Sequence, residues 1–129
     1  MSTVIKNDLK YTNDHEWAKL EGDVVTFGIT DFAQSSLGDI VFLELPEINS
    51  TIDRSSACGV IESIKAVNDL CAPVSGTVIE TNTDAEGSPE NCNTDPYSTW
   101  LVKVKINNKN EFNSLMNADQ YKDHCENSH

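Results

Sequence analysis

Basic residues are scarce in this chain: 9 lysines and arginines stand against 21 aspartates and glutamates, a net charge of -12. Such a surface repels nucleic-acid phosphates and anionic lipid headgroups. It favours solubility and basic partner surfaces. Glycine is also scarce, with 6 in 129 residues. None of the six falls in a phosphate-cradling loop, a dinucleotide fingerprint or a Gly-x-Ser-x-Gly elbow. There are 3 histidines, His15, His124 and His129. His15-Glu16 begins like a metalloprotease helix, but position 19 is Lys19, so the second zinc ligand is missing. A Cys/His nucleophile pair would have to use His15, and no spacing supports it. The cysteines at 58, 71, 92 and 125 form no Cys-x-x-Cys pair and fit no zinc ribbon. They read as free thiols of a reducing compartment, Cys58 and Cys71 as small hydrophobes in apolar strands. No apolar run approaches a membrane span, and residues 1–8 hold neither a signal-peptide core nor an Arg-rich stretch. These absences lead to the expectation of a cytoplasmic protein with no metal site, no nucleic-acid or membrane partner and no catalytic constellation. The length predicts one domain over residues 1–129, its core spanning about residues 9–122.

What is present reads as short strands between turn signals. Residues 24–29, 40–45, 58–64, 70–74, 77–81 and 100–106 are β-branched or alternating. Between the first two, Thr30 is placed to cap a short helix from Asp31 to Leu37, with Gly38 as a left-handed stop. Residues 82–99 read as a loop with one helical turn, Ser88 capping and Pro89 opening it. From Asn110 the spacing of Phe112, Leu115 and Met116 is helical, and Tyr121 continues it. Residues 125–129 read as a frayed tail. The pattern predicts an all-β sandwich or flattened barrel with added helices.

One feature carries chemistry. An apolar strand leads into Ile64-Lys65-Ala66 and another leads out, so Lys65 sits at the reversal. A lysine there offers its amine to solvent on a rigid mount. A modifying enzyme can read the hairpin as a shape and acylate that one side chain. Acylation removes the charge, which would otherwise resist entry into an apolar active site. The plain alternative is a surface lysine that blunts a strand edge. Spacing alone does not decide between them.

Several motifs in register point further. They are Tyr11-Thr12 with His15-Glu16-Trp17, the run from Gly28 to Gln34, the run from Leu37 to Pro46, and Glu62-Ser63-Ile64-Lys65-Ala66-Val67-Asn68-Asp69. Ala72 to Gly76, Val78 to Asn82, Asn93 to Tyr97 and Trp100 to Ile106 follow. On these, residues 11–106 closely resemble the H-protein family of the glycine cleavage system. The resemblance implies a mainly β, barrel-sandwich hybrid fold of the lipoyl/biotinyl-domain type, with short helices and a C-terminal helical segment. It implies lipoic acid attached covalently at Lys65. It implies that a pyridoxal-phosphate glycine decarboxylase (P protein) loads an aminomethyl group. A tetrahydrofolate-dependent aminomethyltransferase (T protein) unloads it, and dihydrolipoyl dehydrogenase (L protein) reoxidises the dithiol. Lipoylating enzymes are further partners, and the carrier itself is non-catalytic. Two departures stand out. Only Ser98 and Thr99 separate Tyr97 from Trp100 where the family usually has three residues, and Cys92 replaces the usual aliphatic.

By the same resemblance, Glu62 is a recognition handle for lipoylation, weighed against a plain solvated strand carboxylate. Glu16 and Asp69 match positions near a cleft that shelters the loaded arm. A carboxylate there pairs with a cationic amine, and a dry site protects a hydrolysis-prone group. His15 and Trp17 read as packing, and Gly76 as a turn residue. Other readings are an H-like paralogue that relays lipoyl groups, a lipoyl or biotinyl domain of another complex, a thiol enzyme using Cys58 or Cys71, and an interaction module with Lys65 unmodified.

Overall fold

Alternation along Val24-Val25-Thr26-Phe27-Gly28-Ile29 buries Val25, Phe27 and Ile29 on one face. Fully burying each such side chain stabilises the fold by roughly 1.5–3 kcal/mol. The computed structural model describes residues 4–127. Its strands are β1 (Lys10–Tyr11), β2 (Glu16–Glu21), β3 (Val24–Ile29), β4 (Ile40–Glu44), β5 (Thr51–Ile52), β6 (Ala57–Ser63), β7 (Val67–Cys71), β8 (Gly76–Thr81) and β9 (Val102–Lys105). The helices are α1 (Asp31–Leu37), α2 (Thr83–Gly87), α3 (Asn91–Thr94), α4 (Lys109–Asn113) and α5 (Ala118–Glu126). One sheet runs in the order β1-β2-β3-β9-β8-β5, the other β4-β6-β7. All named pairings are antiparallel. A mainly β protein with short helices and a C-terminal helix is what the pattern predicts. Among the described residues no helix is long and apolar enough to cross a membrane.

Phe27, Leu43, Ile61, Leu70, Val78 and Val104 belong to one buried cluster formed by both sheets. A second cluster, Tyr11, Trp17, Ala118, Tyr121 and Cys125, lies under α5. Thr30 caps α1 by accepting the Ala33 amide at 3.2 Å. Gly38 ends the helix at φ 79 and ψ -158. That positive φ favours glycine, but it is not the left-handed helical stop expected.

Several expectations need correction. β1, β2 and β5 are strands that the local pattern did not signal, because β2 (Glu-Trp-Ala-Lys-Leu-Glu) is defined by its pairing with β3. Asn82, not Ser88, caps the first helix of the 82–99 segment, and a second helix follows. Ser88 instead closes the C-terminal end of α2. Leu115 and Met116 do not continue α4. Met116 exchanges two 2.9 Å backbone hydrogen bonds with Tyr11. The end of the chain is not frayed through Cys125: α5 runs to Glu126, opens with an Asn117–Gln120 capping box, and buries Cys125. Residues 128–129 of that expected tail lie outside the described residues. Cys58 and Cys71 are only half-buried.

Gly76 is not a turn residue but the first residue of β8, and its φ is not positive. A Cβ there would lie 2.3 Å from the Lys105 carbonyl oxygen and 2.6 Å from Val104 Cγ1. Close strand approach, not conformational freedom, requires glycine. Gly76→Ala is expected to lower unfolding free energy by about 2–4 kcal/mol in urea titrations. Gly87→Ala, where an added Cβ meets nothing within 4 Å, leaves it unchanged or raises it by up to about 1 kcal/mol.

Candidate functional site

Glu62 and Val67 pair across β6 and β7, so the hairpin closes through Ser63-Ile64-Lys65-Ala66. The Ser63 amide donates to the Ala66 carbonyl at 2.8 Å. In the other direction the Ser63 hydroxyl oxygen accepts both the Lys65 and Ala66 amides, each at 3.2 Å. A side-chain oxygen thus does the work of a backbone carbonyl, a habit of serine in turns. The Ile64 amide donates to the Asp39 carbonyl at 3.0 Å, tying the turn to the start of β4. Lys65 projects from this fixed backbone and is exposed. Ile64 and Val67 beside it are 68% and 65% exposed, and Phe42 stands on the neighbouring strand opposite half-buried Glu62.

Gly38 lies under the hairpin: Lys65 Cε is 3.4 Å from where a Gly38 Cβ would stand. Asn93 holds this segment. Its amide nitrogen donates to the Gly38 carbonyl at 2.8 Å and to Gln34 Oε1 at 3.2 Å, while its oxygen accepts the Ile40 amide at 2.9 Å.

Beyond α1 lies a cleft of about 390 Å³. Asp14, His15 and Glu16 form one wall, Ala33, Ser36 and Leu37 of α1 another, and Asn68, Asp69 and Cys71 of β7 a third. The structure therefore brings Glu16 and Asp69 to one cavity. Lys65 and Glu62 are not among its lining residues. Asp69 is exposed, whereas Glu16 is 2% exposed. Burial pushes the Glu16 carboxyl up to about 8, against the 2.5 Å hydrogen bond from the Thr12 hydroxyl, which favours the ionised form. The raised pKa favours the protonated carboxyl at neutral pH.

The remaining groups near the cleft are structural. His15 has φ 68, stacks on Phe32 with ring centroids 4.4 Å apart, and lies with Nδ1 2.8 Å from the Tyr121 hydroxyl. Burial, then neighbouring His124, lowers its pKa. Trp17 is buried and donates its indole N–H to the Pro96 carbonyl at 3.0 Å. Burial, aided by Glu16, pushes the Cys58 thiol up to about 12 and Cys71 up to about 11. That is opposite to what a thiolate nucleophile needs. The sequence reading missed Ser63, Gly38 and Asn93 as site residues. A serine opening a two-residue turn was a usable signal for Ser63. Asn93 had none, since its partners are more than 50 residues away.

The family model described as "Glycine cleavage H-protein" matches residues 9–128. The glycine cleavage system H protein of Staphylococcus carnosus is 52% identical over 120 residues, covering 92% of this chain and 95% of its own. That of Carboxydothermus hydrogenoformans is 48% identical, covering 92% of each chain. The crystal structure of a glycine cleavage system H protein from Mycobacterium marinum superposes with a TM-score of 0.85 at 40% identity, over 92% of this chain and 97% of that one.

Glu16 makes stability pH-dependent in a definite direction. The unfolded chain releases this proton near 4.5 and the folded chain near 8. Between those values the unfolded state holds fewer protons, so stability falls as pH rises, by up to about 1.4 kcal/mol per pH unit, and levels off above the folded value. In urea titrations across this window, Glu16→Gln is expected to lose less stability than the parent. Parallel pH curves for the two proteins would contradict the assignment.

Proposed function

Because this chain belongs to the glycine cleavage H-protein family, we propose that Lys65 bears lipoic acid in amide linkage and that the protein shuttles it among the enzymes of the glycine cleavage system. The observation that carries this reading is the mount of Lys65. It is an exposed amine on a two-residue turn, whose backbone is fixed by Ser63 and by the Asp39 carbonyl. Pre-organisation of this kind lowers the ordering cost when an enzyme docks on the hairpin. When bound, the lipoyl group supplies a sulfur that accepts a one-carbon amine unit and a dithiol/disulfide couple.

The chain's own residues suit that cargo. The amide at Lys65 removes a positive charge from the base of the arm. Asp69 and Glu16 offer carboxyl groups to a cationic amine, Glu16 after releasing its proton. The cleft walls limit access of water to a hydrolysis-prone group. Glu62, between Phe42 and Val67 on its sheet, is a recognition handle for the lipoylating enzyme. Exposed Phe42, Ile64 and Val67 supply apolar contact around Lys65, and the net charge of -12 favours basic partner surfaces.

On this reading the partners are a pyridoxal-phosphate glycine decarboxylase, a tetrahydrofolate-dependent aminomethyltransferase, dihydrolipoyl dehydrogenase and the lipoylating enzymes. The protein is a single, non-catalytic carrier domain working in the cytoplasm.

Incubation with lipoic acid, ATP and a lipoate–protein ligase is expected to add one lipoyl-amide increment to the intact mass, and none to Lys65→Arg. No increment on the parent, under conditions that modify another H protein, would remove the central reading. An increment retained in Lys65→Arg would move the attachment point.

A further inference from the structure

His15, Tyr121 and Thr30 form a hydrogen-bonded relay whose direction follows from counting protons. The Thr30 hydroxyl has two hydrogen-bonded neighbours, the Ala33 amide at 3.2 Å and the Tyr121 hydroxyl at 2.6 Å. An amide N–H only donates, so the Thr30 proton goes to Tyr121. Tyr121 then has its own proton to place. Its remaining neighbours are His15 Nδ1 at 2.8 Å and the Cys125 thiol. A thiol sulfur accepts weakly, whereas a bare imidazole nitrogen is a good acceptor. The Ala33 amide therefore donates to Thr30, Thr30 to Tyr121, and Tyr121 to His15 Nδ1. This direction requires a neutral His15 that carries its proton on Nε2.

Protonation of His15 reverses the relay. Nδ1 becomes a donor, Tyr121 must turn its proton towards Thr30, and the Thr30 hydroxyl loses its acceptor. Thr30 and Tyr121 are both fully buried, so water does not repair the loss. Charge adds to the cost. His15 is half-buried, and its ring centroid lies 5.2 Å from that of His124 on α5. The other titratable groups around it are Asp14 and Glu16 of its own segment, and Asp69 and Cys71 of β7 on the cleft they share. Asp31 of α1 is engaged by the Val4 amide and the Gln34 side chain, each at 2.8 Å. Of these groups Asp14 favours the imidazolium, but burial, then His124, outweigh it.

We propose that the Thr30–Tyr121–His15 relay is an acid-released latch, closed while His15 is neutral and opened when His15 is protonated, which frees α5 from the Thr30 cap of α1 and from the 12–16 segment. Both of those elements wall the cleft, so release loosens the cavity. The latch needs no group on Lys65. A released histidine takes up its proton near 6.5, and the latched one only at lower pH. Below 6.5 the released state binds more protons, so the latch weakens as pH falls, by up to about tenfold per pH unit, and levels off below the latched value. Glu16 acts in the opposite sense over the same window.

The test uses the unmodified full chain and two NMR readouts. Long-range proton–nitrogen spectra at about pH 7.5 are expected to show the His15 proton on Nε2 and a bare Nδ1. Amide exchange, corrected for intrinsic rates, is then followed from about pH 7 to about pH 5 at Thr30, Ala33 and Tyr121, relative to Val104 in the other buried cluster. In the parent, protection at the three amides is expected to fall by more than about threefold relative to Val104. In His15→Asn it stays level. Asparagine tolerates the φ of 68 and offers an oxygen near the place of Nδ1 without titrating. Glu16 is common to both proteins, so the comparison isolates His15. A proton on Nδ1 at neutral pH overturns the relay and the latch with it. No fall in the parent, or an equal fall in both proteins, also overturns the latch. If His15→Asn does not fold, the parent decides alone. Loss of protection as His15 gains its second proton supports the latch, and retained protection with both nitrogens protonated overturns it. None of these outcomes bears on the lipoyl reading.

Discussion

The buried hydroxyl of Tyr121 joins the two ends of the chain at the cleft. Its oxygen is 2.6 Å from Thr30 Oγ1 and 2.8 Å from His15 Nδ1. Thr30 caps α1, and His15 precedes Glu16, so one group from α5 fixes both the helix and the loop that wall the cavity. The Tyr121 ring stacks on Tyr11 at 4.3 Å, and both are fully buried. A buried hydroxyl left without partners costs about 1–3 kcal/mol. Here both neighbours are supplied by distant sequence, so one hydroxyl ties α5 to α1 and to the 12–16 loop.

Two opposite treatments of charge follow from that framework. Glu16 is withdrawn from water, and that burial raises its pKa to about 8. Asp69 stays exposed on β7, an edge of the three-stranded sheet. The thiols near Glu16 are pushed towards the protonated form by the same burial, so the cavity is poor in nucleophiles while rich in acids.

At the other end of α1 the chain spends its rigidity on backbone. Ser63, Asp39 and Asn93 hold the turn and the 38–40 segment beneath it with hydrogen bonds, while Lys65, Ile64 and Val67 stay exposed. Fixed main chain and free side chain are what a tethered arm needs: precise origin, wide reach. Exposed apolar residues around the lysine would be a liability on an idle surface. On the lipoyl reading proposed for Lys65 they form a docking face.

Much of this was legible in the sequence, for physical reasons that differ by residue. The strands at 24–29 and 40–44, the Thr30-capped helix and the Lys65 reversal are local. β-branched alternation, a capping hydroxyl and a turn between two apolar runs act within a few residues. The motif run from Glu62 to Asp69 carried the family resemblance for the same reason. What failed was either polar or long-range. β2 gained its strand from β3, Gly76 its necessity from the Lys105 carbonyl, and Cys125 its burial from Tyr11 and Trp17 across the fold. By itself the sequence determined where Lys65 is displayed, because a hairpin is a local object. Only the tertiary structure decided that Glu16 and Asp69 share one cleft, that burial raises the Glu16 pKa, and that Gly38 lies beneath the Lys65 stem. Proximity and burial arise when distant segments pack, and no periodicity along a chain encodes them.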